Sequence, residues 1–115
     1  MKYDMKEPCG ECPFRSDKVF PLRYGRVIEI TNGLLKKDIP FSCHKTTTGI
    51  GKTSKDKDAR HCAGALIFCE ENGRAHQMMR INERFGDYDH TKLRGHEYVF
   101  KDALTMAEKC SEANG

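Results

Sequence analysis

Six cysteines in a chain of 115 residues are the side chains best suited to chemistry. Cys9 and Cys12 form a C-x-x-C pair, a spacing that lets two thiolates reach one ion from a tight turn. The redox alternative is a dithiol of the thioredoxin kind, which lies between a strand and a helix. Only eight residues precede Cys9, and they do not resemble a core strand. We therefore interpret the pair as metal ligands.

Two later Cys/His pairs complete a candidate ligand set. Cys43 is followed by His44, and His61 is followed by Cys62. Together with the C-x-x-C pair, they supply enough ligands for a closed tetrahedral site. Either histidine is an alternate for the cysteine beside it, because the sequence does not tell which neighbour faces inward. The predicted ligands are the four cysteines Cys9, Cys12, Cys43 and Cys62.

Four thiolates suit either Zn²⁺ or a [4Fe–4S] cluster. The ligands lie far apart in the sequence, which favours a structural zinc site that joins three segments. The alternative is a redox or sensor protein that holds a [4Fe–4S] cluster on the same cysteines. Cys69 and Cys110 lie at apolar helical positions, so we expect them to be small buried hydrophobic side chains.

The basic residues suggest a contact surface. A net charge of +3 is too small to establish nucleic-acid binding. Between Lys45 and Arg60, however, five basic residues stand against two acidic ones. A solvated loop explains this run, and a contact surface for nucleic acid or an acidic protein partner is the alternative. The candidate surface consists of the basic residues Arg15, Lys45, Lys52, Lys55, Lys57 and Arg60.

The stretch GIGKTS (49–54) resembles the end of a phosphate-binding loop. The first glycine of such a loop would have to stand at position 46, which is a threonine, so we expect no nucleotide hydrolysis. A hydrolase that used His44 or His61 beside an open metal position would need a general base, and no carboxylate is suitably spaced. The sequence therefore favours a protein that is not an enzyme. Three other histidines stand in no motif, and we expect them to be exposed: His76, His90 and His96.

Hydrophobic spacing predicts helices over about 21–37, 62–71, 74–85 and 98–110, the first with a stop or bend near position 33. A short extended segment, 39–41, leads to Cys43. Met78, Ile81 and Phe85 share one helical face, and we expect Met78 and Met79 to belong to the core. The predicted fold is mostly α, with a small α+β arrangement as the alternative and a cysteine knuckle near the N-terminus.

Composition predicts one domain over 1–115, with a metal-binding region at 8–68 and a helical part at 70–115. Hydrophobic residues make up 37% and charged residues 32%, and the mean hydropathy is −0.72. A chain this poor in apolar residues would gain stability from a metal. The N-terminus is charged and no segment has the apolar length of a membrane span. We expect a cytoplasmic protein.

Three blocks of the sequence carry a resemblance: CGECPFR (9–15), FSCH (41–44) and CAGAL (62–66). In this order they resemble a family of small uncharacterised phage and bacterial proteins with the pattern C-x-x-C-P-[WF]-R, C-H, C-A-G. The resemblance covers 8–68 and implies that the four cysteines act as a unit, with Arg15 and His44 in the same blocks. It implies no reaction. We expect a small metal-binding protein with a regulatory or host-modulating role that contacts nucleic acid or a protein partner. If it is encoded by a phage, we expect it in the host cytoplasm.

Overall fold

Regular structure in the described residues is almost entirely helical. The computed structural model describes residues 3, 5–8, 12–42 and 60–115. The α-helices in these ranges are α1 (Tyr24–Lys36), α2 (Ala63–Glu71), α3 (Gln77–Arg84) and α4 (Ala103–Asn114), with 3-10 turns at His90–Lys92 and His96–Tyr98. Within these ranges the extended chain forms two isolated antiparallel bridges and no strand. The expected mostly α class is confirmed. No helix in the described ranges combines the length and the apolar character needed to cross a membrane.

Helix α2 lies at the centre of the core. Every residue from Ala63 to Cys69 is buried, as expected for a helix that is apolar on all sides. The Phe68 ring lies 5.3 Å from the Phe14 ring, centroid to centroid, which joins α2 to the N-terminal segment. Cys69 and, on α4, Cys110 are both fully buried, as the sequence predicts.

Helix α1 begins at Tyr24 and continues past the predicted stop to Lys36. Of the stop or bend expected near Gly33, the stop is wrong, because the helix continues through this glycine to Lys36. The Gly33 carbonyl accepts hydrogen bonds from the backbone N–H groups of Lys37, at 3.3 Å, and Ile39, at 2.8 Å. A Cβ atom at position 33 would lie 3.5 Å from the Cβ of Ile39. This is an ordinary van der Waals distance, so Ile39 folds back over the end of the helix without requiring a glycine at position 33.

Residues 12–20 of the predicted N-terminal knuckle, which is the turn-like stretch 8–20, are held by the C-terminal half of the chain. The backbone N–H of Ser16 donates to the carbonyl of Tyr98 at 2.6 Å, and the N–H of Phe100 donates to the carbonyl of Phe14 at 3.0 Å. Because residues 98–100 form this extended pairing, α4 does not begin at Tyr98 as predicted. It begins at Ala103, after Asp102 caps its first turn.

Helix α3 has one buried side chain, that of Met79. Met79 is fully buried, whereas the neighbouring Met78 is 42% exposed. The prediction that both methionines belong to the core is correct for Met79 and wrong for Met78. Ile81 and Phe85 share the helical face expected from their spacing, and both are exposed.

Candidate metal centre

The sulfur atoms of Cys12 and Cys62 meet in the interior, although the two residues lie 50 positions apart in the chain. Their Sγ atoms are 3.2 Å apart, the side chains are 1% and 3% exposed, and both thiols are free. These are two of the four predicted ligands. Cys9 and Cys43 lie outside the described residues.

The N-terminus of α2 lies against the sulfur of Cys12. Cys62 is the N-cap of this helix and makes no side-chain capping bond. The first N–H groups of a helix have no partner inside it. The backbone N–H groups of Gly64 and Phe14 lie near the Cys12 sulfur and lower the pKa of its thiol. Because the helix N-terminus carries partial positive charge, this position favours a thiolate.

The pKa values of the buried thiols Cys12 and Cys69 are shifted in opposite directions. The hydrogen bond with Cys62 lowers the pKa of the Cys12 thiol, and the N–H donors of Phe14 and Gly64 lower it further against the effect of burial. Burial raises the pKa of Cys69 to about 12. Cys69 is therefore a packed, protonated thiol, whereas Cys12 lies where a negative sulfur is stabilised.

The extended segment that ends at Ser42 pairs with the residues at the start of α2. The backbone N–H of Cys62 donates to the carbonyl of Phe41 at 2.8 Å, and Ser42 forms an antiparallel bridge with His61. The short extended segment predicted before Cys43 therefore pairs beside the Cys62 position. Cys43 and its alternate His44, which follow Ser42 in the sequence, lie outside the described residues.

Of the neighbours His61 and Cys62, it is the cysteine that faces Cys12. Both ring nitrogens of His61 are used elsewhere. Its Nδ1 lies 3.0 Å from the carbonyl oxygen of Cys62, and its Nε2 accepts the N–H of Phe41 at 3.2 Å. Because a carbonyl can only accept, Nδ1 carries the proton. This arrangement favours Cys62 over His61 as the ligand.

His76 is buried, and the expectation that it is exposed is wrong. It is 1% exposed, and its Nε2 lies 2.8 Å from the Nε2 of His61. Since the His61 Nε2 is an acceptor, the His76 Nε2 carries a proton and donates it. The His76 Nδ1 is consequently an acceptor, and it is buried without a hydrogen-bond partner among the described residues. No motif in the sequence predicts the contact between His61 and His76, which lie 15 positions apart.

The aromatic ring of Tyr3 packs near both imidazole rings, which are buried away from solvent. The ring of Tyr3 lies 5.0 Å from that of His61 and 6.1 Å from that of His76, measured between centroids. Burial lowers the pKa of His61 to about 3 and also lowers the pKa of His76. Both rings are therefore neutral at physiological pH and act as hydrogen-bonding parts of the core.

The predicted contact surface is only partly within the described residues. Arg15 makes a two-pronged ion pair with Asp17, with N–O distances of 2.8 and 2.6 Å, and its guanidinium lies 5.5 Å from the centre of the Tyr98 ring. These contacts give Arg15 a structural part in the knuckle. Arg60 is exposed. The lysines of the surface lie outside the described residues: Lys45, Lys52, Lys55 and Lys57.

One more group of ligand-type atoms converges at the end of α2. One ligand atom from each of Glu70, Glu83 and His90 lies within 4.8 Å of the others. His90 Nδ1 lies 3.0 Å from a Glu83 carboxylate oxygen, a contact that raises the pKa of His90. The buried Tyr88 hydroxyl donates to Glu70 at 2.9 Å. The ion pair between His90 and Glu83 and the hydrogen bond from Tyr88 to Glu70 account for this arrangement.

A family model described as "Family of unknown function (DUF6283)" matches residues 4–114. No curated protein matches the chain. No solved structure matches it either.

Proposed function

The chain belongs to this family of unknown function, DUF6283, and we propose that it is a metal-binding module without enzymatic activity. Cys12 and Cys62 would hold one Zn²⁺ ion together with Cys9 and Cys43. The ion would join the N-terminal knuckle, the segment that ends near Ser42 and the start of α2. The order of the three motif blocks, which resembles that of small phage and bacterial proteins, supports treating the four cysteines as one unit.

The observation that carries the proposal is the approach of the two buried sulfur atoms to 3.2 Å. Two thiolates on one zinc ion, each about 2.3 Å from the metal, stand about 3.8 Å apart in tetrahedral geometry. The observed separation is close to this value, so a small outward movement of either sulfur would admit an ion. Burial of two thiols beside N–H donors also suits a ligand pair, because only the thiolate binds a metal.

The same separation favours a single ion over a [4Fe–4S] cluster. In a cluster each cysteine binds a different iron, and the ligand sulfurs are held apart by the inorganic core. The sulfurs of Cys12 and Cys62 are already in direct contact, Gly64 packs against both, and the backbone of Phe14 lies beside Cys12. A cluster would require these segments to separate. Zinc requires only a small adjustment.

The contribution of each residue follows from its position. Cys12 would bind as a thiolate stabilised by the N–H groups of Phe14 and Gly64. Cys62 would bind at the N-cap of α2, so that the ion fixes the start of the central helix. Zinc would supply structural cross-linking only, because four thiolates leave no open position for a substrate. A regulatory role through a bound protein or nucleic acid is part of the proposal. Its candidate contact surface consists of the basic residues Arg15, Lys45, Lys52, Lys55, Lys57 and Arg60.

Metal analysis with an absorption spectrum tests the proposal, on full-length protein purified without oxygen. We expect about one zinc ion per chain and no visible absorbance band. The variants Cys12→Ser and Cys62→Ser should lose the metal. Cys110→Ala, which changes a buried cysteine outside the site, should keep it.

Three results would overturn the assignment to zinc. Iron and sulfide with a broad visible band would show a cluster. A Cys12–Cys62 disulfide in metal-free protein, detected by mass spectrometry, would show that the close sulfurs form a covalent bond. Metal retained by both serine variants would show that it binds elsewhere.

A further inference from the structure

Exposed apolar side chains concentrate on α3. Of the seven large hydrophobic residues that are exposed in the described ranges, three lie on this helix or directly after it: Met78, Ile81 and Phe85. Phe85 is 73% exposed, the highest value of the seven. Leaving an aromatic side chain in water forgoes the stabilisation that its burial would give. A cluster of this kind on a small protein indicates a surface that binds something.

Two residues of this cluster, Ile81 and Phe85, line a recess of about 590 Å³ on the outer side of α3. Its lining is formed by the residues Gln77, Arg80, Ile81, Arg84 and Phe85, which we call the α3 face. They are spaced at three and four positions and therefore share one side of the helix. Ile81 and Phe85 supply the apolar floor, and the two arginines border it.

The arginines are one helical turn apart, a rise of about 6 Å. Arg84 has no ion pair among the described residues, and Arg80 makes only a long contact of 3.7 Å with Glu83. The nearer partner of Glu83 is His90, at 3.0 Å. Both guanidinium groups are thus open to carboxylates of a binding partner. Carboxylates at four-residue spacing on a helix have the same separation as these arginines.

The charge balance argues for a protein segment rather than a nucleic acid. Residues 77–87 contain Arg80 and Arg84 against Glu83 and Asp87, so the segment is neutral overall. Binding to a polyanion depends on several basic contacts with phosphates, which this face lacks. Apolar burial must supply most of the affinity, with two carboxylates to set the orientation.

We propose that the α3 face binds a helical, acidic and apolar segment of a partner protein. One or two apolar side chains of the segment fill the recess over Ile81 and Phe85, and carboxylates one turn apart pair with Arg80 and Arg84. The proposal does not depend on the metal site, because the α3 face contains none of the proposed ligands.

Selection from a random-peptide display library on the full-length protein tests this inference. We expect enriched peptides in which Leu or Phe alternates with Asp or Glu at helical spacing. Their dissociation constants, measured by fluorescence anisotropy, should rise at least about tenfold with Phe85→Ala and also with Arg84→Ala. Leu104→Ala is the matched control, because Leu104 is 60% exposed on α4, and it should leave binding unchanged. Circular dichroism should show that all three variants are folded.

Four outcomes would overturn the proposal. The first is a selection that enriches no acidic apolar peptide, and the second is enriched peptides that bind Phe85→Ala as tightly as the wild type. The third is single-stranded DNA that binds at this face and competes with the peptides, which would identify a nucleic acid as the occupant. The fourth is a dimer in sedimentation that Phe85→Ala dissociates, which would identify a second copy of the chain.

Discussion

The sulfur of Cys12 occupies the space that a side chain at position 64 would need. A Cβ atom built on Gly64 would overlap that sulfur and would lie 3.0 Å from the Cβ of Phe14. The neighbouring atoms belong to a buried cysteine and a fully buried aromatic residue, so neither can move easily. The glycine is therefore what lets the knuckle pack against the first turn of α2.

Replacing Gly64 by alanine should destabilise the protein by about 1–3 kcal/mol, the usual cost of overpacking a core. It should also reduce the zinc content, because it displaces the Cys12 sulfur. Urea denaturation measures the first effect and metal analysis the second. The control is Gly25→Ala on α1, where a Cβ meets nothing within 4 Å, and alanine there should be neutral or stabilise by up to about 1 kcal/mol. Equal stabilities for the two variants would contradict the packing described at Gly64.

Met78 and Met79 provide a matched pair on α3. Met79→Ala should lower the free energy of unfolding by about 2–5 kcal/mol, because it leaves a cavity under the helix. Met78→Ala should change it by less than about 0.5 kcal/mol, since its side chain is already partly in water. Thermal and urea unfolding of the two variants give the comparison. Similar losses in both would mean that α3 packs through a different face.

Arg15 stabilises the knuckle through Asp17 and the ring of Tyr98. Removing it in Arg15→Ala should cost roughly 1 kcal/mol, the combined scale of a partly buried ion pair and a cation–π contact. The control is Arg26→Ala, which breaks a more exposed ion pair with Glu29 and should cost less than about 0.5 kcal/mol. Urea denaturation at low and high salt measures both losses. A loss at Arg15 no larger than that at Arg26 would argue against a structural part for Arg15.

The histidines should titrate differently. Because burial lowers the pKa of His61 to about 3, the NMR signals of its ring should not change between about pH 8 and pH 5. His76 should behave similarly at neutral pH, since its pKa is also lowered. His90 serves as the internal control, because its contact with Glu83 raises its pKa, and its signals should titrate above the ordinary value of about 6.5. A His61 titration near 6.5 would mean that the ring is in water.

The same pKa shifts set the direction of the pH dependence. Unfolding returns the pKa of His61 to about 6.5, so its contribution to stability is complete above that pH and decreases as the pH falls towards 3. The maximum loss is about 1.4 kcal/mol per pH unit. His90 has the opposite sign, because its raised pKa gives stability at low pH that disappears as the pH rises through the folded value. Unfolding curves of wild type and His90→Gln across this range separate the two contributions.

Local pattern alone was enough to predict much of the architecture. Apolar spacing located α1 and α2 to within a few residues, because helix periodicity depends on neighbours in the chain. It also predicted that Cys69 and Cys110 are buried, since both stand among apolar residues at helical spacing. The same periodicity found the common face of Ile81 and Phe85. It did not tell which side of α3 meets the core, because this depends on what packs against the helix.

Tertiary structure decided the features that join distant positions. The sequence could not tell which of His61 and Cys62 points towards Cys12, since successive residues of an extended segment point in opposite directions. Pairing with Phe41 and Ser42 accompanies an arrangement in which Cys62 contacts Cys12, while His61, which is also buried, contacts His76. The burial of His76 likewise comes from its contact with His61. Side-chain type and spacing thus specify the helices and the candidate ligands, whereas long-range packing selects the atoms that meet.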